Sequence, residues 1–545
     1  MRTMPRESDT EMRPDSHTAG GWPRGLGELL ITLAIFAAAG CWPVPDVNET
    51  AYLTKARHHA DPAWGRGDFF LETPDAHGVF YMLMGPLAAS LSLEQAAWIG
   101  RWLGWLAVAA GFRHAVVPLL APWWPRLLAA ALFSLALRHT PAAGEWVLGG
   151  CESKVFAWAL VLVAVGEIAR ARLPWAVLAL GAATAIHPLV GGWGMVALVV
   201  VVSMPAGRPL RDACMTAGDR GGALAIGGGL LLAAFGLVPA LGLSGGVDAA
   251  TRAAAARIYV VERLSHHLLA RTFADGFVAR HVLAILAWWL LAATRPFAPE
   301  PMPAARTRAY RFIAASLVIS LAGCVVSLAE PLAPAAVHGL LRYYWFRLAD
   351  ILVPLGLAVA AAAVVSDGAL LARILPVRPA VTRWGLAALL CLDLVHESRH
   401  WPLPGRTSLV ARSDGKVDAA AWRDACDWIA NHAPADACVL TPRGASSLTW
   451  WTGRREVVGW KNSPQDAASL VEWRRRIVDC FSRDGGFANL ERSTAALGAE
   501  RMRFVADTYG ATLAVVPLDL PAAAELPFER LHANKGYAVL RLAPD

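Results

Sequence analysis

Long apolar runs separated by short polar breaks fill most of the chain up to about residue 400, the clearest being Leu26–Pro43, Val155–Ala169, Ala223–Leu243 and Ile351–Val365. Runs of roughly 20 apolar residues cross a hydrocarbon core as helices, because a backbone exposed to lipid must satisfy its own hydrogen bonds. The pattern predicts about eleven crossings. They are Leu26–Pro43, Trp98–Leu119, Trp124–Leu137, Val155–Ala169, Trp175–His187, Val190–Met204, Ala223–Leu243, Val282–Thr294, Phe312–Ala329, Phe346–Val365 and Trp384–His396. A further apolar stretch, Ala76–Leu91, reads as a helix lying at or dipping into the outer surface, with Asp75 as its N-cap.

The pattern changes after His396. Residues 401–545 lose the long runs and gain mixed charge. Asp418–Asn431 is amphipathic, Asp466–Phe481 and Glu500–Tyr509 read as helices, and Ala437–Thr441, Thr512–Pro517 and Gly536–Leu542 read as strands. The expected fold class is mainly α: a polytopic helical membrane protein with a C-terminal extracytoplasmic α/β domain. Its parts are a disordered cytoplasmic arm (1–24), a transmembrane domain (25–400) whose first outside loop is 44–96, and a soluble domain (401–545).

Composition agrees. The chain has 545 residues, 56% hydrophobic and only 17% charged, with mean hydropathy +0.42, against roughly 25% charged in soluble domains. Lys and Arg concentrate in cytoplasmic loops. Arg170 and Arg172, then Arg208, Arg211 and Arg220, then Arg295, Arg306, Arg308 and Arg311, then Arg373, Arg378 and Arg383 mark four such loops. This places the N-terminus inside and the C-terminal domain outside a cytoplasmic (inner) membrane. Ala38-Ala39-Gly40-Cys41 is a weak match to a lipoprotein cleavage box, and the first span reads as an uncleaved anchor. No cysteines stand in a CxxC pair, and Cys426 and Cys438 read either as a disulfide or as two small buried hydrophobes.

Candidate chemistry sits between the first two apolar segments. Asp46, Glu49, Asp61, Asp68, Glu72 and Asp75 crowd one loop, and carboxylates placed where a chain leaves the bilayer point to function. Asn48 suits an N-cap, which puts Glu49 in a first helical turn with Tyr52 on its face. The outside loop Asp248–Arg280 carries Arg252, Arg257, Arg263, Arg271 and Arg280 against the positive-inside trend. These arginines fit an anionic ligand, which a guanidinium grips as a fork, or an amphipathic pair resting on headgroups. The loop Glu330–Arg347 ends in RYYWFR, whose aromatics suit an interface belt or stacking on a sugar. The adjacent pairs His58-His59 and His266-His267 point to different helix faces, so no metal site is expected from them.

Taken in order, these features resemble the GT-C superfamily of polytopic glycosyltransferases, with protein O-mannosyltransferases and aminoarabinose transferases similar in layout. The resemblance lies in a first span, an acidic pair before x-x-Tyr (Asn48-Glu49, Tyr52), a surface helix near His77–Tyr81, Arg101 opening the next crossing, Glu152 in GGCESKVFAW, and His187-Pro188. The family's leading acid is usually aspartate, and Asn48 stands there. The stretches NETAYL, ESKVFAW and RYYWFRLAD also resemble those of uncharacterised bacterial multispanning membrane proteins. The resemblance implies inverting transfer of a sugar from a lipid-phosphate donor to an acceptor at the outer face. It implies Glu49, Asp46, Asp68 and Glu152 as catalytic candidates. It implies Asn48, Tyr52, His77, Arg101 and His187 as substrate contacts, and the outside-loop arginines Arg257, Arg263 and Arg271, with Arg342 and Arg347 behind them, are the candidates to hold the lipid phosphate. No cofactor is demanded, though a divalent cation (Mg or Mn) could bridge carboxylate and phosphate. Expected partners are membrane lipids and the sugar carrier, and no nucleic acid. A transporter or a non-catalytic scaffold is the alternative.

Overall fold

A computed structural model describes residues 21–204, 220–293, 303–374, 378–406 and 409–542. The first part of the arm, Arg208, Arg211, Cys214 and Arg295 lie outside the described residues. Each expected crossing is a helix with ends shifted by a few residues, except that those expected to start at Val282 and Phe312 begin earlier, at Asp275 and Ala304. Four described helices are long and apolar enough to cross a bilayer: Arg220–Gly242, Asp275–Ala293, Ala304–Leu328 and Arg347–Ser366. The first of these exposes Leu224, Leu231, Phe235 and Val238, and the third exposes Leu321, Val325 and Leu328. Faces this apolar belong in lipid rather than water. The expected surface helix is Gly78–Ser90, with 13 residues and so a length of about 20 Å. It starts later than expected: His77 is its N-cap, and Asp75 Oδ1 accepts the His77 backbone N–H at 2.9 Å.

Eight helices lead into the site and are named here. They are α1 (Gly21–Gly40), α2 (Glu49–Ala60), α3 (Gly78–Ser90), α4 (Leu93–Val116), α5 (Trp123–His139), α6 (Ser153–Ala169), α7 (Leu173–Ile186) and α8 (Pro188–Ser203). Phe36 of α1, Phe112 of α4 and Phe133 of α5 form one aromatic cluster, with Phe112 5.5 Å from Phe36 and 5.4 Å from Phe133. Small residues bring backbones close elsewhere: a Cβ on Gly181 of α7 would lie 2.0 Å from the Gly229 carbonyl oxygen. Close approach of this kind is how helices associate where burial from water cannot drive them together. Several of the arginines assigned to inside loops bind the last carbonyls of neighbouring helices. Arg306 Nη2 donates to Leu119 O at 2.8 Å, Arg308 Nε to Ala169 O at 3.0 Å, and Arg383 Nε to Val365 O at 3.1 Å. A cation at a helix C-terminus also opposes the negative end of the dipole.

The C-terminal part holds a five-stranded sheet in the order β2-β1-β3-β5-β4. The strands are β1 (Cys438–Leu440), β2 (Arg455–Glu456), β3 (Leu513–Pro517), β4 (Arg530–Ala533) and β5 (Tyr537–Arg541). β1 runs parallel to β2 and β3, and β5 is antiparallel to β3 and β4. β2 and β4 were not expected, since two and four residues are too few to show alternation. The sheet is buried on both faces. Cys438, Leu440, Ala514 and Val516 pack on one side with helix Ala467–Phe481, and Val439, Leu513 and Val515 pack on the other with helix Ala419–His432. This two-residue period separates Cys426 from Cys438: both thiols are free and buried, one in each cluster, so the disulfide does not form.

The domain docks on the first loop. Asp68 Oδ1 accepts the backbone N–H groups of Phe70 (3.0 Å) and Leu71 (2.9 Å), and its Oδ2 accepts that of Glu456 in β2 (2.9 Å). Arg412 Nε lies 3.5 Å from Asp46 Oδ1.

Candidate functional site

The acidic loop makes a clasp first. The Glu49 carboxylate is completely buried. Its Oε1 accepts from Arg101 Nε and from the Cys151 backbone N–H, both at 2.7 Å. Its Oε2 accepts from Arg101 Nη2 and from the Asp46 backbone N–H, both at 2.6 Å. Asp46 Oδ2 in turn accepts the Gly150 backbone N–H at 3.0 Å. A buried bidentate pair with both oxygens doubly engaged is strong and leaves no lone pair for a substrate. A Cβ on Gly150 would lie 2.7 Å from Glu49 Cγ, so the GG before Cys151 is what lets this loop close onto the carboxylate. Of the catalytic candidates, Glu49, Asp46 and Asp68 are therefore corrected to structural roles, and Glu49 does not share a cavity with Glu152. The first two fasten the loop before α6, with Arg101 as their counter-charge, and Asp68 fastens the C-terminal domain. Backbone N–H groups that need acceptors draw these acids inward.

Asn48 faces a different space, a cavity of about 240 Å³. Its side chain makes no cap to α2. Instead Nδ2 donates to Glu152 Oε2 at 3.0 Å, and Lys154 Nζ lies 3.4 Å from the same oxygen. Glu152 is 1% exposed, and its Oε1 is buried with no hydrogen-bond partner. Burial pushes its carboxyl above the ordinary range, with Lys154 and the Asn48 hydrogen bond pulling the other way. Beside it the Tyr52 hydroxyl meets His77 Nε2 at 3.2 Å, and His77 Nδ1 is buried without a partner. The His77 ring lies 4.7 Å from that of His187, which caps α8 by accepting the Val190 N–H at 3.3 Å. Burial lowers the His77 pKa, so its ring is neutral at neutral pH.

Cations line the rest of the cavity. Arg347 Nε lies 3.0 Å from Glu145 Oε2, and its guanidinium sits 4.0 Å over the Tyr344 ring. Arg263, Arg342 and Lys461 also line it. Among the described residues none of these three forms an ion pair with a carboxylate. Arg263 is 9% exposed, and its Nη2 donates only to the Lys461 carbonyl, at 3.4 Å. Arg342 Nη1 donates to Ser244 Oγ at 2.7 Å. Burial, with Arg263 adjoining, pushes the Lys461 ammonium down to about 8. Buried cations left unpaired are costly unless an anion joins them. Tyr344 holds a left-handed backbone at φ +56°, a strained state that clusters at ligand sites.

The remaining candidates divide. Asn48, Tyr52, His77, Glu152, His187, Arg263, Arg342 and Arg347 come together at the cavity. Arg257 and Arg271 do not: both are exposed and pair with Glu262 (2.8 Å) and Glu330 (3.3 Å). RYYWFR also divides, since Tyr343 and Tyr344 line the cavity while Trp345 packs at 4.8 Å on Trp193. Sequence reasoning singled out neither Lys461 nor Lys154, both of which line the cavity. Lys461 arrives from the C-terminal domain, and a lone lysine in a polar loop carries no local signal. Three His, Cys, Asp or Glu side chains placed to hold a metal ion do not occur among the described residues.

Residues 420–480 match a family model described as a domain of unknown function, DUF6798, a segment that includes Lys461. No curated protein matches the chain. Two crystal structures of ArnT from Cupriavidus metallidurans align with 96% of the chain over 98% of their own. The one bound to undecaprenyl phosphate does so at 15% identity and TM-score 0.38, and the apo form at 14% and 0.37.

Proposed function

We propose that this chain is an integral-membrane glycosyltransferase that moves a sugar from a lipid-phosphate donor to an acceptor at the outer face of the membrane. The observation that carries the reading is a cavity holding both a carboxylate oxygen without a hydrogen-bond partner and three cations that form no ion pair with a carboxylate among the described residues. In the proposed reaction the phosphate sits on Arg263, Arg342 and Lys461, which stabilise the charge it gains as the anomeric carbon–oxygen bond breaks. The acceptor hydroxyl forms the new bond to that carbon from the opposite side. Its proton passes to Glu152 Oε1, whose raised pKa makes it a better base than an ordinary carboxylate. Asn48 and Lys154 hold the other oxygen in place. Tyr343 and Tyr344 offer rings against the sugar. In this reading the three cations take the part that a Mg or Mn ion could otherwise play at the phosphate.

The test uses membranes containing the full chain, a panel of radiolabelled polyprenyl-phosphate pentoses and hexoses, and undecaprenyl phosphate as a binding probe. Glu152→Gln is expected to lower transfer by roughly 10²–10⁴ while leaving undecaprenyl phosphate bound. Equal transfer by the variant removes Glu152 from the reaction. Neither transfer nor probe binding by the wild type would overturn the reading in favour of a transporter or scaffold.

A further inference from the structure

The C-terminal domain carries a second hollow, of about 600 Å³, which the reaction above does not use. It lies where β1 and β3 end. The residues after β1, Pro442 to Gly444, form one wall, and Pro517, the last of β3, stands opposite with Asp519 beyond it. β1 is parallel to both of its neighbours, β2 on one side and β3 on the other. The connection after β1 leads to β2 on one side and the connection after β3 leads to β4 and β5 on the other, and the crevice beyond the carboxyl ends at such a reversal is where open α/β sheets bind ligands. Helix Ala419–His432 starts at the same rim.

The charge of this cleft is one-sided. Lys416, Arg443, Arg492 and Lys535 line it against two acids, Asp418 and Asp519. Both acids are committed: Asp418 Oδ1 accepts the Ala421 N–H at 3.2 Å, and Asp519 Oδ2 lies 3.0 Å from Arg492 Nη1. Lys416 and Lys535 are exposed and form no ion pair with a carboxylate among the described residues. Arg443 is half-buried, its Nε donates to the Glu491 carbonyl at 3.0 Å, and its guanidinium lies 5.4 Å from the Trp460 ring. Trp460 lines the cleft as well, its ring stacked on Phe487 at 5.5 Å with Arg443 over it, so it offers a ligand an apolar edge rather than an open face. It is also the partition: Trp460 lines the cleft, and Lys461, the next residue, lines the first cavity.

We propose that this cleft binds an anionic carbohydrate, a saccharide bearing phosphate or carboxylate, and holds it as the acceptor beside the first cavity. Binding stands on the cleft alone, and the acceptor role rests on the transfer reading. Titration calorimetry on the full chain in detergent tests it, with glucose 1-phosphate, glucuronate, glucose and inorganic phosphate as probes. The two charged sugars should bind, and glucose should not. Arg443→Gln and Lys535→Ala should each weaken glucose 1-phosphate at least tenfold with the melting temperature unchanged. Lys461→Ala, which strikes the first cavity, should leave that binding within about twofold. Loss in Lys461→Ala with none in Arg443→Gln and Lys535→Ala would put the ligand in the first cavity and overturn the proposal. Inorganic phosphate binding as tightly as the sugar ester would overturn it too, as a mere anion site. Intact charged-sugar binding in a chain that transfers no sugar would overturn the acceptor role and leave the site.

Discussion

Replacing Glu49 by glutamine is expected to damage the fold rather than the chemistry alone. The carboxylate receives four hydrogen bonds, two from Arg101 and one each from the backbone of Asp46 and Cys151. An amide has one acceptor oxygen, so its NH₂ must face two of the four donors. Each unmade buried hydrogen bond costs roughly 1–3 kcal/mol, and Arg101 would also keep its charge with both side chains wholly buried. Breaking a buried ion pair on one side costs about 3–5 kcal/mol, and the two routes agree. Thermal unfolding in detergent micelles should therefore show a clear fall for Glu49→Gln, together with loss of activity. Glu152→Gln should keep the wild-type melting temperature, because an amide oxygen can still accept from Asn48. The double replacement Glu49→Leu, Arg101→Met removes both charges but leaves the Asp46 and Cys151 N–H groups without an acceptor, so it should regain only part of the stability. A Glu49→Gln protein that melts like wild type but transfers no sugar would refute this reasoning and restore Glu49 as a catalytic group.

Two further predictions concern pH. Lys461, held at about 8, carries its charge below that value and loses it above. Binding of undecaprenyl phosphate should therefore weaken as pH rises through 8, and Lys461→Arg should remove that dependence; a wild-type profile flat from pH 6 to 10 counts against Lys461 as a phosphate contact. Glu456 is pushed up to about 8 by burial, with the Thr441 hydrogen bond opposing and Asp68 adding to the rise. Its folded pKa lies above its unfolded one, so its contribution to stability is fully present below about 4.5 and is lost as pH rises through 8. Between those values the slope is about 1.4 kcal/mol per pH unit. The melting temperature should fall from pH 5 to pH 8, and Glu456→Gln should flatten the fall; a Glu456→Gln profile parallel to wild type would show that the carboxyl does not titrate there.

The helices were legible because their signal is local. An apolar run of sufficient length leaves the backbone one solution in lipid, and flanking arginines mark where it stops. Helix Ala467–Phe481 and strand Leu513–Pro517 were legible for a similar reason, since burial on one stripe or on both faces writes itself into the spacing. The cavity was only half legible. Asn48, Tyr52, Glu152 and His187 stand near recognisable stretches, whereas Lys461 reaches the cavity from a domain packed over it.

The two glutamates at helix starts, Glu49 and Glu152, show where a reading by residue type stops. Glu49 and Glu152 are alike as letters: both buried, both near a basic side chain, both beside a helix start. What separates them is the backbone around each. The Gly149-Gly150-Cys151 turn folds over Glu49 and presents the Cys151 N–H to it, and with Arg101 and the Asp46 N–H its oxygens are saturated. Glu152 follows the same turn but points the other way, meets side chains only, and keeps one oxygen free. A saturated carboxylate stabilises, and an unsaturated one can exchange a proton or take a ligand, because only the second has a lone pair to offer without breaking an existing bond. Asn48 marks the boundary: with an amide where the resemblance expects an acid, the position donates to Glu152 instead of repelling it. An Asn48→Asp change should therefore raise the Glu152 pKa further and shift the pH optimum of transfer upward, and an unshifted optimum would mean that Glu152 does not carry the proton.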